Sequence, residues 1–315
     1  MKLKTLVGLM GITLMSCSTT QSTAEKKNPE VHGHRGARWV RPENTLPAFQ
    51  YALDQGVEVL ELDLGVTQDN KLVVYHDQLL NPVFCKYKDG KDIIGDIPIH
   101  SLTLKQVKKI DCGSKVNPKF PEQQLVPGTE IPTLDEFFEL ITKHPNGMSV
   151  HFNIETKSEE AFPKYQPEPK KFAKLLLDSL RKHHVLDRTI IQSFDFRTLI
   201  EARLMEPTCV ISALIEYRPK EALTEIAKRL KADIVSPDHE WLTADDVKAL
   251  HAMKVQVAPW TANTEGDWKK LIGFGVDGII TDNPKALIEY LKNHHAEKRV
   301  QGSNAHSLVS GTGGL

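Results

Sequence analysis

The feature that most constrains the fold is a regular alternation of short apolar runs with helical patterns from residue 31 onward. Eight of the runs are short and rich in branched residues, as buried strands are. They are Val31–His34, Val57–Leu64, Ser149–Glu155, Thr189–Ser193, Val210–Ile215, Asp233–Ser236, Val255–Trp260 and Gly278–Thr281. Apolar residues at helical spacing occupy most of the intervals, at Thr45–Asp54, Pro169–His183, Phe196–Met205, Lys220–Leu230, Ala244–Ala252, Glu265–Phe274 and Pro284–Lys292.

Eight strands separated by helices are what a (β/α)8 TIM barrel requires, and we predict that fold. The alternative is an open doubly wound sheet, which alternates strands and helices in the same way. No glycine-rich dinucleotide fingerprint follows the first strand, and this favours the barrel. A chain of 315 residues can form one such domain, which we place at residues 30–295.

One further strand, Lys71–His76, follows the second strand after only the short turn Gln68–Asn70. A parallel neighbour needs a crossover of about a dozen residues or more, so this strand is predicted to return antiparallel. Folding the chain about Asp69 and Asn70 places His76 opposite Asp63.

Two regions interrupt the alternation. Residues 77–132 contain several Pro, Gly and Lys residues and only one apolar pattern, Leu102–Ile110. We predict that they form a small inserted subdomain over the top of the barrel. Residues 296–315 are rich in small polar residues near their end and are predicted to be a disordered tail.

The amino terminus resembles a processed leader. Two lysines precede the apolar run Leu6–Met15, which is too short to span a bilayer as a mature helix. The following Ser16-Cys17 resembles the end of a bacterial lipobox, in which the cysteine is acylated. We therefore expect a lipoprotein signal peptide at residues 1–17, a flexible tether at 18–29, and export to the periplasm or cell surface. The lipid would be the only membrane contact; ordinary secretion with Cys17 left free is the alternative.

Export would place the remaining cysteines in an oxidising compartment. Cys85 and Cys112 flank one loop-rich stretch, and we expect a disulfide between them. Cys209 opens an apolar run and is predicted to be a buried thiol. None of the spacings resembles a zinc site.

The charge balance argues against a polyanionic partner. Lys and Arg number 40 and Asp and Glu number 41, which gives a net charge of -1, and there is no long basic run. We therefore expect no nucleic-acid partner, although a small local cationic site is compatible with this composition.

Polar residues cluster where the predicted strands end, and a TIM barrel carries its active site at the carboxyl ends of its strands. The residues in these positions are His34, Arg35, Glu61, Asp63, His76, Glu155, Lys157 and Trp260. Glu61 and Asp63 are two residues apart on a strand and so face the same side, as do Glu155 and Lys157. Three carboxylates without thiolates suit one hard divalent cation, Ca²⁺ or Mg²⁺.

The other members of this set suit phosphate chemistry. His34 and His76 could act as general acid and general base near neutral pH. Arg35 and Lys157 could hold an anionic phosphate.

Each residue taken alone has a structural alternative. Paired strand carboxylates often form salt bridges, a single histidine is often structural, and Trp260 could simply fill the barrel mouth. Arg38 and Arg41 can be interpreted as solvated loop charges. The convergence of all these positions at one end favours a site, because clustered carboxylates with no ion between them would repel one another.

Nine segments, in this order along the chain, resemble the signature of the glycerophosphodiester phosphodiesterase family. They are His34–Ala37, Pro42–Thr45, Glu61–Leu64, Thr67–Asp69, Val73–Asp77, Ile131–Leu134, Asn153–Lys157, Trp260–Asn263 and Asp277–Pro284. The resemblance covers about residues 31–290. Thr156 and Ala262 depart from the residues usual at their positions, and both side chains are expected to point away from the site.

The resemblance implies a role for each matching position. It implies that His34 and His76 form the acid–base pair and that Glu61, Asp63 and Glu155 are the ligands of one divalent cation. It implies that Arg35 and Lys157 contact the phosphate and that Glu43 supports the site. Trp260 is a candidate substrate contact, and the insertion at 77–132 corresponds to an inserted subdomain of the family that helps to enclose the substrate.

The expected reaction is metal-dependent hydrolysis of a glycerophosphodiester to glycerol 3-phosphate and an alcohol. A phospholipase D-like activity on lysophospholipid or sphingomyelin is the alternative, because a membrane tether would bring such a lipid within reach. A surface protein that binds without catalysis is a third hypothesis, but every expected catalytic position holds a competent residue.

Overall fold

The computed structural model describes residues 28–294. The predicted signal peptide, Cys17, most of the tether and the carboxyl-terminal tail lie outside the described residues. No helix among the described residues is long and apolar enough to cross a membrane.

The described chain contains eleven strands, eight of which are parallel and alternate with helices. The strands are β1 (Glu30–Gly33), β2 (Val59–Val66), β3 (Leu72–Val74), β4 (Lys86–Tyr87), β5 (Ile110–Asp111), β6 (His151–Thr156), β7 (Thr189–Ser193), β8 (Val210–Ile215), β9 (Ile234–Pro237), β10 (Gln256–Val257) and β11 (Gly278–Thr281). The helices are α1 (Leu46–Gln55), α2 (Leu104–Val107), α3 (Leu134–Lys143), α4 (Pro169–Lys182), α5 (Phe196–Met205), α6 (Leu223–Leu230), α7 (Ala244–Ala252), α8 (Glu265–Phe274) and α9, which occupies residues 284–294.

The parallel strands close into a barrel. Their order is β10-β9-β8-β7-β6-β2-β1-β11. The two ends of this order are joined by backbone hydrogen bonds from Asp277 N–H to the Val257 carbonyl at 2.9 Å and from Ile280 N–H to the Pro259 carbonyl at 3.0 Å. The predicted (β/α)8 TIM barrel is therefore confirmed, and the open doubly wound sheet is excluded.

Apolar packing between the strands and the surrounding helices positions the barrel. Phe49 of α1, Phe137 and Phe138 of α3 and Phe152 of β6 are buried and meet edge to face, with neighbouring ring centroids 4.8–5.6 Å apart. This geometry is the favoured one for aromatic pairs. The cluster ties two helices to the strand that carries Glu155.

Helix α3 was not among the predicted helices, although the sequence carries a signal for it. Thr133 and Glu136 form a capping box, in which the Thr133 hydroxyl accepts from Glu136 N–H at 3.1 Å and the Glu136 carboxylate accepts from Thr133 N–H at 2.7 Å. A Thr-x-x-Glu segment before an apolar pattern marks a helix start.

The short strand β3 pairs antiparallel with β2, as predicted, but in a register shifted by one residue. Leu64 lies opposite Val74, and Tyr75 N–H donates to the Asp63 carbonyl at 2.9 Å, so Tyr75 rather than His76 lies opposite Asp63. The reason is a turn with an odd number of residues. Thr67 pairs with Lys71 around a three-residue loop whose last member, Asn70, has a left-handed φ of 60°.

The insertion carries its own small core. Strands β4 and β5 pair antiparallel, and a disulfide joins Cys85 to Cys112 with their Cα atoms 4.1 Å apart. Cys209 is a free, buried thiol, as predicted. The insertion contacts the loop after β1, where Gln124 N–H donates to the Val40 carbonyl at 2.9 Å. It therefore lies against the carboxyl end of the barrel.

Candidate active site

Three carboxylates from two neighbouring strands meet at the carboxyl end of the barrel. Asp63 of β2 lies opposite Glu155 of the neighbouring strand β6. Glu61 lies two residues before Asp63 on β2, so its side chain is on the same face of the strand. Glu61, Asp63 and Glu155 each offer an oxygen within 4.8 Å of the others, and all three are buried. The three carboxylates that the sequence placed at strand ends are therefore brought together by the parallel pairing of β2 with β6.

The hydrogen bonds of this trio do not satisfy every buried carboxylate oxygen. Glu61 accepts from Arg35 N–H at 2.8 Å and from Gln192 Nε2 at 2.8 Å, and Asp63 Oδ2 accepts from Asn44 Nδ2 at 2.7 Å. Asp63 Oδ1 is buried and has no hydrogen-bond partner. A buried oxygen without a partner is costly unless a ligand or ion completes it, and an all-oxygen donor set fits a hard divalent cation.

Burial and mutual repulsion perturb the trio. Burial and the neighbouring Asp63 raise the pKa of Glu61 well above its ordinary value. Burial raises the pKa of Glu155 to about 7, against the lowering effect of Lys157. Burial also acts to raise the pKa of Asp63, but positive charges led by Arg35 outweigh it and hold that pKa well below its ordinary range. A cation would favour the ionised form of all three.

Two basic side chains flank the carboxylates. Arg35 donates to Glu43 Oε1 at 2.6 Å and its Nε lies 3.2 Å from Asp63 Oδ2. Lys157 Nζ lies 2.8 Å from Glu155 Oε1. The carboxylates around them raise the pKa of both Arg35 and Lys157, so both remain charged. Glu43, predicted as a supporting carboxylate, holds the Arg35 guanidinium in place.

The two histidines have matching surroundings. His34 Nδ1 lies 2.6 Å from Asp282 Oδ1, and His76 Nδ1 lies 2.6 Å from Asp77 Oδ1. A carboxylate at Nδ1 fixes the proton there and leaves Nε2 as the atom able to exchange a proton. His76 Nε2 lies 3.1 Å from Lys157 Nζ, and His34 Nε2 lies 4.0 Å from Glu61 Oε2. The reactive nitrogen of His34 therefore faces Glu61, and that of His76 faces Lys157, which is paired with Glu155.

Burial and neighbouring cations lower the pKa of both imidazoles. Burial and the Arg38 charge lower the pKa of His34 to about 4, although Asp282 acts to raise it. Burial and the Arg35 charge likewise lower the pKa of His76, against the raising effect of Asp63.

A cavity of about 110 Å³ joins these groups. His34, Arg35, His76 and Glu155 line one side, and Phe194, Leu214 and Trp260 line the other. The Trp260 indole N–H donates to the Ser236 carbonyl at 2.9 Å, so the ring contributes an apolar wall. Two larger cavities, of about 390 and 430 Å³, lie elsewhere and are lined by none of the predicted site residues.

Several residues of the site were not predicted. Arg38 is not a solvated loop charge, because its side chain is only 18% exposed and its Nε donates to Asp282 Oδ1 at 2.6 Å. Asp282 and Asn44 lie inside segments that resemble the family signature, which could have drawn attention to them. Gln192 follows two apolar residues on β7 and carries no local signal. As expected, Thr156 points away from the site, toward Thr198 of α5 at 2.8 Å.

Comparison with known proteins matches this architecture to one family. Residues 34–286 match the model of the glycerophosphoryl diester phosphodiesterase family. A glycerophosphodiester phosphodiesterase of Bacillus subtilis (strain 168) is 32% identical over 273 residues, which cover 83% of this chain and 86% of the relative. Its namesake in Caldanaerobacter subterraneus is 32% identical over 263 residues, covering 83% of this chain and 97% of the relative.

Solved structures agree with the sequence comparisons. A protein of Silicibacter pomeroyi DSS-3, named a putative glycerophosphoryl diester phosphodiesterase, superposes with a TM-score of 0.79. The two chains are 28% identical, and the superposition covers 85% of this chain and 94% of the other.

Proposed function

Because the chain belongs to the glycerophosphoryl diester phosphodiesterase family and hydrolyses a glycerophosphodiester to glycerol 3-phosphate and an alcohol, we propose how its site performs this reaction. Glu61, Asp63 and Glu155 bind one divalent cation, and His34 and His76 divide the acid and base work. The observation that carries the proposal is the buried oxygen of Asp63 that has no partner beside two further carboxylates.

The cation, Ca²⁺ or Mg²⁺, would supply electrostatic stabilisation of charge on the phosphoryl group when bound. Arg35 and Lys157 serve the same end from the protein side, since both remain charged next to the cavity. Arginine binds phosphate oxygens in a bidentate manner and lysine acts as a point charge. Fixed charges of this kind stabilise the transition state because they need no reorganisation during the reaction.

The histidines move the protons. One neutral imidazole takes up at Nε2 the proton of the glycerol 2-hydroxyl, whose oxygen attacks phosphorus. The other imidazole starts the reaction as an imidazolium and gives its Nε2 proton to the departing alkoxide. The product is a cyclic phosphodiester, which water opens as the two imidazoles exchange roles. Asp282 and Asp77 hold the two rings in the tautomer that this exchange requires, through contacts of 2.6 Å each.

An assay of glycerol 3-phosphate release tests the proposal. The protein beginning after Cys17 should hydrolyse soluble glycerophosphodiesters, lose that activity in excess chelator, and regain it when Ca²⁺ or Mg²⁺ is added. Parallel reactions with micellar lysophospholipid and sphingomyelin test the phospholipase D-like alternative. Full activity in excess chelator, with no metal in the purified protein, would contradict the cation site.

We further propose that the protein is exported and is anchored through a lipid on Cys17. The leader pattern supports this proposal, and so does the Cys85–Cys112 disulfide, because such bonds persist in oxidising compartments. Asn28 lies just before β1, at the amino end of the barrel and opposite the catalytic cavity. The tether that we propose would therefore join the barrel at the end that does not carry the cavity.

Replacing Cys17 by Ser should release the protein from membranes into the soluble fraction. The acyl chains are the only anchor that we propose, so removing their attachment site removes the membrane affinity. Fractionation of cells followed by immunoblotting measures the effect, and Cys209→Ser, which changes a buried thiol far from the leader, serves as the control. Wild-type protein recovered wholly in the soluble fraction would contradict lipidation.

A further inference from the structure

A column of buried polar side chains runs along the inside of the barrel beneath the carboxylates. It consists of Gln192 on β7, Asn153 on β6 and His32 on β1, and none of the three is more than 2% exposed. Gln192 Nε2 donates to Glu61 Oε1 at 2.8 Å, and Asn153 Nδ2 donates to Gln192 Oε1 at 3.0 Å. The column ends at His32 Nδ1, 3.5 Å from Asn153 Nδ2.

The chemistry of its two ends gives this column a single direction. When a cation is bound, Glu61 is a carboxylate whose oxygens can only accept, so Gln192 must present its amide nitrogen to Glu61 and its amide oxygen to Asn153. Asn153 must then present its own amide nitrogen to Gln192, and the same nitrogen faces His32 Nδ1. Burial lowers the pKa of His32 to about 3, so this imidazole is neutral and its Nδ1 can accept. Asn153 Nδ2 therefore faces acceptors on both sides, His32 Nδ1 and Gln192 Oε1, and Gln192 is left to present its N–H to Glu61.

The column supplies one of the two contacts that orient the Glu61 carboxylate. Arg35 N–H holds Oε2 and Gln192 holds Oε1, each at 2.8 Å. With both oxygens held, Glu61 keeps an oxygen within 4.8 Å of oxygens of Asp63 and Glu155. Partners of this kind set ligand orientation and basicity, and their loss typically lowers metal affinity by roughly 10 to 100-fold.

We propose that Gln192 and Asn153 are positioning residues that orient Glu61 for cation binding, and that His32 sets the direction of their hydrogen bonds. This inference rests on the proposed cation site. Asn153 is the informative member, because its side chain does not line the catalytic cavity and its side-chain hydrogen bond toward the site is to Gln192.

Two substitutions test whether these side chains orient Glu61 through their hydrogen bonds or only fill space inside the barrel. Asn153→Asp keeps the shape of the side chain but replaces its donor by an acceptor. Gln192 would then have to turn its amide nitrogen toward residue 153 and its oxygen toward Glu61, which places two acceptors face to face. Gln192→Met keeps the approximate volume, removes the donor and adds no buried charge. Ser212→Ala is the matched control, because Ser212 is equally buried in the barrel but bonds Ser236 at 2.8 Å instead of the column.

The measurement is the affinity for Mn²⁺, determined by calorimetry on the protein beginning after Cys17, with circular dichroism to confirm folding. We expect Asn153→Asp and Gln192→Met to weaken binding by about 10 to 100-fold and Ser212→Ala to change it by less than about twofold. Hydrolysis by the two weakened variants should recover toward the wild-type rate as Mn²⁺ is raised. If Asn153→Asp does not fold, the Mn²⁺ affinity of the Gln192→Met protein alone tests the proposal.

Wild-type affinity in a folded Gln192→Met or Asn153→Asp protein would overturn the positioning role and leave the cation site standing. A wild-type protein that binds no Mn²⁺ would overturn the cation site, and this inference with it.

Discussion

Asp63→Asn should lower the rate of glycerophosphodiester hydrolysis by more than the roughly 100-fold upper value typical of a residue that only orients a metal ligand. Asp63 offers a buried oxygen without a protein partner between Glu61 and Glu155, so we expect it to bind the cation directly. The substitution removes the negative charge of that ligand while keeping its shape.

Two measurements distinguish a lost cation site from a damaged fold. Titration with Mg²⁺, Ca²⁺ or Mn²⁺ should show weaker binding by the Asp63→Asn protein, and its circular dichroism spectrum should match that of the wild type. Asp245→Asn is the control, because Asp245 is an exposed carboxylate in the first turn of α7. Unchanged cation affinity together with unchanged activity in Asp63→Asn would remove Asp63 from the site.

Replacing either His34 or His76 by Ala should lower the rate by about 10² to 10⁴-fold, the usual contribution of a general acid or base. The double substitution should cost much less than the product of the single effects, because groups that act as a unit are not additive. The pH–rate profile of the wild type should be bell-shaped, with limbs that belong to the pair. His251→Ala is the matched control, since His251 also contacts a carboxylate, Asp277 at 2.8 Å, but at the opposite end of the barrel.

A substrate with a good leaving group tests the division of labour between the histidines. Such a leaving group departs without protonation, so its release, measured in the first turnover, should be largely rescued in the variant that lacks the acid and not in the variant that lacks the base. Equal rescue of both variants, or of neither, would show that the two imidazoles do not act as a complementary pair.

Local sequence patterns were sufficient for most of the barrel. The predicted bounds of β7, β8 and β11 and of α5, α7 and α8 are those observed. In each case the burial pattern follows from residues adjacent along the chain, and the periods of helix and strand differ enough to separate them. Helix α3 was not predicted, although its capping box is a local signal of the same kind.

The register of β3 against β2 could not be predicted from local sequence patterns. The antiparallel direction follows from the shortness of the connection, but the pairing depends on whether the loop has an odd or an even number of residues. That number was decided by Asn70, whose left-handed conformation closes a three-residue loop. The shift moves Tyr75 into line with Asp63, and His76 reaches the site from just beyond the strand.

The sequence by itself determined the barrel, the positions of the strand ends and the residues that stand there. His34, Glu61, Asp63, His76, Glu155 and Lys157 could be identified because a parallel barrel brings all its carboxyl ends to one face. Only the tertiary structure decided what surrounds them. Asp282 lies 248 residues from His34, and Gln192 lies 131 residues from Glu61, yet each pair is within hydrogen-bond distance. Contacts of that separation depend on closure of the barrel and on side-chain direction, which no pattern of neighbouring residues encodes.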